Sequence, residues 1–130
     1  MDHLQYKFSK REKLCSKRSF AVLIAGKKAV YAGKLRVTYH FDLPAEAVTA
    51  PCMVAMVATK RDFKRAVDRN LLKRRMREAY RLHKSPLLAA LLEKGKNVSL
   101  LIRYNSREIR SFSEIEQDMR WALKQMLRMV

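Results

Sequence analysis

The chain has 130 residues, of which 29 are lysine or arginine and 12 are acidic, so its formal net charge is +17. This length predicts one domain with a real core, and a hydrophobic content of 48% excludes a wholly disordered basic tail. The pI near 10.4 favours a polyanionic partner, RNA or DNA before a membrane surface, and no apolar run is long enough to span a bilayer.

The first 26 residues are predicted to form an extended arm followed by a helix. Residues 1–10 alternate aromatic and basic side chains around Tyr6 and Phe8, which could pin the arm to the core or stack on a nucleotide. Gly26 is a natural C-terminal stop for the helix predicted over residues 11–25. The apolar face of that helix is formed by Leu14, Phe20, Leu23 and Ile24.

Three strands are predicted after the arm and the first helix. Residues 27–31 indicate a short strand that ends near Gly33. Residues 35–41 alternate apolar with polar side chains, a period of two that predicts a strand whose Arg36, Thr38 and His40 face could meet solvent or RNA. The two prolines of residues 42–51 indicate a hairpin connection. The apolar run over residues 52–58 predicts a central strand buried on both faces.

A basic helix is predicted from Ala66 to Lys84, with a basic lead-in from Lys60 to Arg65. Eleven lysines and arginines stand against three acids from Lys60 to Lys84. At about 100° per residue, one basic stripe is formed by Arg69, Lys73, Arg77 and Arg81. The opposite apolar arc is formed by Leu72, Met76, Ala79, Tyr80 and Leu82. A solvated helix face normally mixes charges of both signs, so this stripe favours nucleic acid, and a helix N-terminus beside several cations favours phosphate.

The remainder of the chain predicts a short helix over residues 87–94, a strand over 97–104 and a final helix. Ser113 and Glu116 form a predicted capping box at the start of the final helix. Its apolar residues at helical spacing are Ile115, Met119, Ala122, Leu123, Met126 and Val130. The main elements follow the order α-β-β-β-α-β-α. This order predicts one α+β domain over residues 1–130, a four-stranded sheet with helices packed on it.

The basic helix and its lead-in carry an ordered motif rather than a simple charge run. Its parts are Lys60-Arg61, Phe63-Lys64-Arg65-Ala66-Val67, Arg69-Asn70, Lys73-Arg74 and Arg77-Glu78-Ala79-Tyr80. The motif closely resembles the signature helix of the bacterial ribonuclease P protein subunit. Leu71 stands where that family usually has arginine, and Arg75 stands where it usually has an apolar residue. Which of Leu71 and Arg75 lies at the RNA face stays open.

This resemblance implies a function, a fold detail and a set of partners. The chain would be the non-catalytic subunit of the ribonuclease P ribonucleoprotein, an RNA endonuclease that removes the 5′ leader of precursor tRNA. Its partners would be the catalytic RNA and that leader, and Mg²⁺ would act in the holoenzyme through the RNA. The resemblance also implies a left-handed strand–helix–strand crossover, against the usual rule. We expect a cytoplasmic protein that is monomeric when free.

The resemblance also implies residue roles in RNA recognition. Phosphates of the catalytic RNA would be met by Lys64, Arg65, Arg69, Asn70, Lys73, Arg74 and Arg77. The precursor tRNA leader would be met by Phe20, Tyr39, Lys60 and Arg61. The two aromatic residues fit plain core packing about equally well.

The sequence shows no motif of a catalytic or metal centre. His3, His40 and His83 are isolated, and no cluster has metal-ligand spacing. There is no glycine-rich phosphate loop and no acidic pair typical of a two-metal nuclease. Cys15 and Cys52 lie far apart and are expected to be reduced thiols. His83, near a helix C-terminus, is expected to be solvated or to interact with the helix dipole.

Three other functions fit a small basic protein. A ribosomal protein is compatible with the composition, but the ordered spacing of the motif disfavours it. A DNA-binding domain would need a compact partner helix just before the recognition helix, where this sequence has an apolar strand. A membrane-surface helix would need its apolar side free, whereas the predicted sheet covers that side.

Overall fold

The computed structural model describes residues 28–41 and 50–130. The described elements are β1 (Ala29–Ala32), β2 (Leu35–Phe41), β3 (Cys52–Val57), α1 (Ala66–His83), α2 (Ser85–Lys94), β4 (Val98–Tyr104) and α3 (Phe112–Met129). The predicted arm, the helix over residues 11–25 and the site residue Phe20 lie outside the described residues.

The four strands form one mixed sheet in the order β1-β2-β4-β3. The pairs β1–β2 and β2–β4 are antiparallel, and β3–β4 is parallel. The predicted hairpin over residues 42–51 is wrong, because β4 lies between β2 and β3. The predicted central strand is wrong in position as well. β3 is an edge strand, and only its first three residues, Cys52, Met53 and Val54, are buried.

Two helices connect the parallel strands β3 and β4, since parallel neighbours need a crossover connection. The described order is β-β-β-α-α-β-α. It has one more helix between β3 and β4 than the predicted order of main elements, because that order did not count the short helix predicted over residues 87–94. α1 ends at His83, and α2 begins at Ser85 because Pro86 is tolerated in a first helical turn. Gly95 ends α2 in the left-handed conformation at φ 62°. The left-handed path of the crossover stays a prediction.

The core lies between one face of the sheet and the helices. α3 packs against α1, β1 and β2, and α1 packs against β3. The predicted apolar arc of α1 is confirmed at Leu72, Met76, Ala79 and Tyr80, all 0% exposed. The prediction is wrong for Leu82, which is 36% exposed. Leu82 lies about 100° around the helix from the centre of the buried face, so it reaches the margin.

α3 begins two residues earlier than predicted. Its N-cap is Ser111, whose hydroxyl accepts a hydrogen bond from the Glu114 amide, while the Glu114 side chain bonds back to the Ser111 amide. The spacing Ser-x-x-Glu occurs twice here, and the predicted box at Ser113 was the wrong one. Glu116 instead meets His83 of α1 at 2.8 Å. The apolar stripe of α3 is confirmed from Ile115 to Met126.

Candidate nucleic-acid interface

A hydrogen-bonded turn holds the lead-in to α1. The Thr59 hydroxyl donates to Asp62 Oδ2 at 3.0 Å, and the Asp62 and Phe63 amides both bond back to the Thr59 carbonyl. Asp62 also lies within 4 Å of Arg103 and Arg107. Phe63 is 6% exposed and packs its ring against Tyr104 at 5.8 Å between centroids. Since Phe63 and Asp62 point inward, Lys60, Arg61 and Lys64 are left exposed around them.

Arg69 connects the first turn of α1 to this lead-in. Its Nη1 donates to the Phe63 carbonyl at 2.7 Å and to the Lys64 carbonyl at 2.9 Å. These bonds fix the backbone that presents Lys64 and Arg65. Arg69 therefore has a structural role that the sequence did not reveal, in addition to its predicted contact with RNA.

The remaining predicted RNA-binding side chains of α1 are left open by the fold. Asn70 and Arg74 are exposed, as are Lys64 and Arg65 before them, and Lys73 and Arg77 are partly exposed. None of these side chains makes a hydrogen bond or ion pair among the described residues. We call this set the basic surface: Lys64, Arg65, Asn70, Lys73, Arg74 and Arg77. It carries five cations without an internal counter-charge.

The N-terminus of α1 opens beside this surface. Its N-cap residue is Arg65, in an extended conformation and without a side-chain hydrogen bond to the first turn. The first amide groups of a helix have no intrahelical acceptor and lie at the positive end of the helix dipole. Free amides next to Lys64 and Arg65 suit a phosphate oxygen, which supports the phosphate site expected from the sequence.

The basic stripe ends after Arg77 rather than running to the end of the helix. Arg81 is paired with Glu78, with Nε to Oε1 at 3.0 Å and Nη2 to Oε2 at 2.7 Å. The hydrogen bond from Arg81 lowers the pKa of the Glu78 carboxyl and raises the pKa of Arg81, so this pair is ionised. Lys84 is 0% exposed, with its ammonium 6.0 Å from the centre of the Tyr80 ring. Both cations serve the fold.

Arg75, the cation that departs from the family pattern, also points into the protein. Its Nη1 donates to the backbone carbonyl of Arg110, in the connection between β4 and α3. Arg110 in turn bonds to Glu114 and Asp118 of α3, and its amide donates to the Tyr104 hydroxyl at 3.1 Å. Burial is the main reason why the pKa of Tyr104 is raised. Arg75 thus ties α1 to α3, while Leu71 is partly exposed.

The residues predicted to meet the leader occupy different places. Lys60 and Arg61 are exposed in the lead-in turn. Tyr39 is partly buried on β2, packs against the hydrophobic core and meets the Phe41 ring edge-on at 5.8 Å. The opposite face of β2 is not fully open to solvent, because Thr38 is only 6% exposed.

On that opposite sheet face, the predicted polar face of β2 continues onto β4 as a polar row. Arg36 lies opposite Arg103 in the β2–β4 register, and His40 lies opposite Ser99. The buried atoms Arg36 Nε, His40 Nδ1, Ser99 Oγ and Arg103 Nε lack a hydrogen-bond partner among the described residues. A buried polar atom without a partner is unusual, so this row has unused hydrogen-bonding capacity. The pairing of β2 with β4, which a single sequence does not show, creates it.

His83 differs from its expected solvated or dipole-interacting state. Its Nε2 lies 2.8 Å from Glu116 Oε2, which joins the end of α1 to α3. Within residues 28–41 and 50–130, no group of three or more His, Cys, Asp or Glu side chains is placed to hold a metal ion. No described helix is long and apolar enough to cross a membrane.

Comparison with known proteins agrees with the motif. The family model for Ribonuclease P matches residues 8–127. The ribonuclease P protein component of Porphyromonas gingivalis is 35% identical over 115 residues, covering 88% of this chain and 82% of the relative. That of Chlorobaculum tepidum is 37% identical over 102 residues, covering 73% and 66%.

Solved structures support the fold. The Staphylococcus aureus RNase P protein has a TM-score of 0.64 at 20% identity, covering 89% of this chain and 95% of its own. A mutant of that protein with defective mRNA degradation activity gives a TM-score of 0.65 at 20% identity, with 95% and 94% covered. The extent of the family match and the identity to curated relatives lead to one conclusion. The chain belongs to the family of bacterial ribonuclease P protein components, subunits of an RNA endonuclease of tRNA processing.

Proposed function

We propose that the basic surface of α1 binds phosphates of the ribonuclease P RNA, and that the chain also holds the 5′ leader of precursor tRNA. The main observation is that five cations, from Lys64 to Arg77, have no hydrogen-bond or ion-pair partner among the described residues, and that they lie beside a helix N-terminus without a side-chain cap. Like charges spaced four residues apart destabilise an isolated helix. An anionic partner reverses that effect, and a folded RNA supplies phosphates at such spacing.

Arg69 and Asn70 belong to the same proposed contact in different ways. Asn70 is exposed and can donate and accept hydrogen bonds at once. Arg69 has two of its guanidinium hydrogen bonds directed at the lead-in carbonyls. A guanidinium has five N–H donors, so Arg69 can meet a phosphate with those that remain.

The leader is assigned to the lead-in turn and the sheet beside it. Lys60 and Arg61 supply exposed cations that suit a single strand. Asp62 lies within 4 Å of Arg103, so the turn that carries these cations adjoins the polar row on β2 and β4. The partly exposed side chains of that row, Arg36, His40 and Arg103, can donate to phosphate or base edges. Tyr39, with part of its ring accessible, and Phe20 complete the proposed leader contacts.

Hydrolysis is assigned to the RNA subunit and not to side chains of this chain. Two acids near the proposed interface already have partners: Asp62 bonds to Thr59, and Glu78 to Arg81. A third, Asp68 in the first turn of α1, is a single carboxylate and does not by itself make a dedicated Mg²⁺ site, which needs several oxygen ligands. Mg²⁺ is therefore proposed to act in the holoenzyme through the RNA. We also propose a cytoplasmic location and a monomeric free protein.

Reconstitution tests the proposal directly. Purified protein is mixed with a bacterial ribonuclease P RNA and a 5′-extended precursor tRNA at low Mg²⁺ concentration. We expect cleavage at the mature 5′ end to depend on the protein. The double variant Arg74→Ala and Arg77→Ala should weaken RNA binding. It should also reduce the slope of log K against log salt concentration by about the contribution of two phosphate contacts.

A matched control replaces two exposed cations outside this surface, Lys96 after α2 and Arg128 in the last turn of α3, with alanine. That variant should bind and support cleavage like the original chain. Equal losses in both proteins would mean that net charge alone drives binding, and the assignment to the basic surface would then be abandoned. Cleavage that does not respond to the protein at any Mg²⁺ concentration would refute the subunit role itself.

A further inference from the structure

The only tryptophan of the chain, Trp121, stands on the outer side of α3 with half of its surface exposed, at 51%. The buried stripe of α3 faces α1 and the sheet, so Trp121 does not contribute to the core. An exposed tryptophan presents a large apolar surface together with a polar N–H group, a combination that is enriched at interfaces.

Trp121 lines a concavity of about 550 Å³ at the junction of α3 and the β1–β2 turn. The other lining residues are Gly33, Gln117, Asp118, Arg120 and Lys124. A second concavity of about 190 Å³ lies alongside and shares Arg120 and Lys124. Arg120 and Lys124 therefore line both the recess beside Trp121 and the neighbouring groove. None of the residues of the basic surface lines either recess.

We propose that Trp121, Arg120 and Lys124 form a second RNA contact, which takes one or a few unpaired nucleotides. A base stacks on the indole face, and Arg120 and Lys124 meet the adjoining phosphates. Aromatic platforms flanked by cations are how proteins hold single strands without reading their sequence. The choice of RNA as the partner rests on the function proposed above, and the site itself lies outside the surfaces assigned there.

The charges around the recess agree with an anionic occupant. Asp118, the one acid among the described lining residues, accepts hydrogen bonds from the Lys34 amide at 3.0 Å and from Arg110 Nη1 at 3.0 Å. The Asp118 charge is thus compensated inside the protein, whereas Arg120 and Lys124 have no ion pair among the described residues. The local balance is positive, as a phosphate requires.

The same surroundings disfavour a protein partner. The centre of a protein interface is depleted in lysine and aspartate and is lined by apolar side chains. Among the described residues, Trp121 is instead bordered in this recess by Gln117, Asp118, Arg120 and Lys124. Gly33 of the β1–β2 turn adds no side chain to the recess. These features fit a flat base with a charged backbone better than a protein side chain.

Intrinsic fluorescence gives a direct assay, because Trp121 is the only tryptophan. The full chain is titrated with single-stranded oligoadenylate of about ten nucleotides, a length within the usual range of such sites. We expect saturable quenching of the tryptophan emission. Trp121→Ala should weaken binding of fluorescently labelled oligoadenylate about fivefold or more, and Trp121→Phe should retain most of it.

Lys124→Ala should also weaken binding and reduce the salt slope by roughly 0.7, whereas the matched control Lys96→Ala should do neither. Circular dichroism of each variant checks that the fold is kept. If oligoadenylate binds without changing the emission, and Trp121→Ala binds it as tightly as the original chain, the second contact is refuted. The proposed function would survive that result if Arg74→Ala still weakened binding of ribonuclease P RNA. Absence of binding to both RNAs would refute both proposals.

Discussion

Arg69 is predicted to act on stability and on RNA binding at once, and three variants separate the two effects. Arg69→Ala removes the charge and both hydrogen bonds to the lead-in carbonyls. Arg69→Lys keeps the charge but loses the planar fork that reaches two carbonyls together. Arg77→Ala, two turns along the same helix, removes a charge that has no partner among the described residues.

The structural contribution of Arg69 can be estimated from its contacts. A hydrogen bond to a charged donor contributes about 1.5–3 kcal/mol when it is shielded from water. Only the bond to the Phe63 carbonyl, at 2.7 Å, is partly buried, and the bond to the Lys64 carbonyl is exposed. After discounting for solvent, the two together stabilise the fold by about 1–2 kcal/mol. For a chain of this size that corresponds to a fall in Tm of about 4–8 °C.

Urea unfolding followed by circular dichroism gives the first readout, and the salt dependence of ribonuclease P RNA binding gives the second. We expect Arg69→Ala to lower the free energy of unfolding by about 1–2 kcal/mol, Arg69→Lys to lower it by most of that amount, and Arg77→Ala to change it by less than about 0.5 kcal/mol. Both alanine variants should reduce the salt slope, and Arg69→Lys should retain it. If Arg69→Ala unfolds like the original chain, the hydrogen bonds to the lead-in do not stabilise the fold, and the reasoning is wrong.

Three further predictions concern the fold. Gly33→Ala should destabilise the protein more than Gly95→Ala. Both glycines have a positive φ, which costs alanine about 1–2 kcal/mol, but only at Gly33 would a Cβ lie 2.1 Å from an Asp118 carboxylate oxygen. Equal losses of stability in urea unfolding would exclude that clash. Ser111→Ala should cost about 1 kcal/mol in the same assay, and an unchanged midpoint would show that its cap of α3 is dispensable. The hydrogen bond from Arg110, followed by those from Ser111, lowers the pKa of Glu114. The stability that ionised Glu114 contributes is therefore fully present above its ordinary pKa of 4.5 and is lost as the pH falls through the lowered pKa. Glu114→Gln should therefore reduce the loss of stability measured by urea midpoints across that acid range, and an identical pH profile would contradict this.

Local patterns in the sequence predicted most of the described elements but not how the strands pair. The alternation over residues 35–41 and the periodicity of α1 and α3 each depend on one element and one buried face. The sheet order depends instead on β4 inserting between β2 and β3, a contact between residues some 60 positions apart in the register. The apolar run of β3 predicted a central strand, but β3 lies at the edge of the described sheet. An apolar composition predicts burial of a strand and does not predict its position in the sheet.

Charge counting likewise pointed to α1 as the proposed interface, but it did not resolve which cations are available to a partner. The stripe and its spacing identified α1. In the sequence, Arg75, Arg81 and Lys84 add to its charge like any other cation, but in the structure Arg75 and Arg81 bond to groups of the protein and Lys84 is buried. Arg75 reaches a backbone carbonyl 35 residues away, a partner without a sequence signal. Arg81 has an acid three residues before it, a pairing visible in advance from helical spacing.

The division of cations within α1 follows from what each can reach. Arg69, Arg75 and Arg81 lie where a carbonyl or carboxylate of the protein is within hydrogen-bond distance, and they hold the lead-in, α3 and the end of the helix in place. The basic surface has no such acceptor within residues 28–41 and 50–130, so the repulsion among its cations is proposed to remain uncompensated until an anion binds. A rigid helix fixed by the first group presents the second without further ordering, which lowers the entropic cost of association. The same helix is thereby both a structural element of the domain and its proposed contact with RNA.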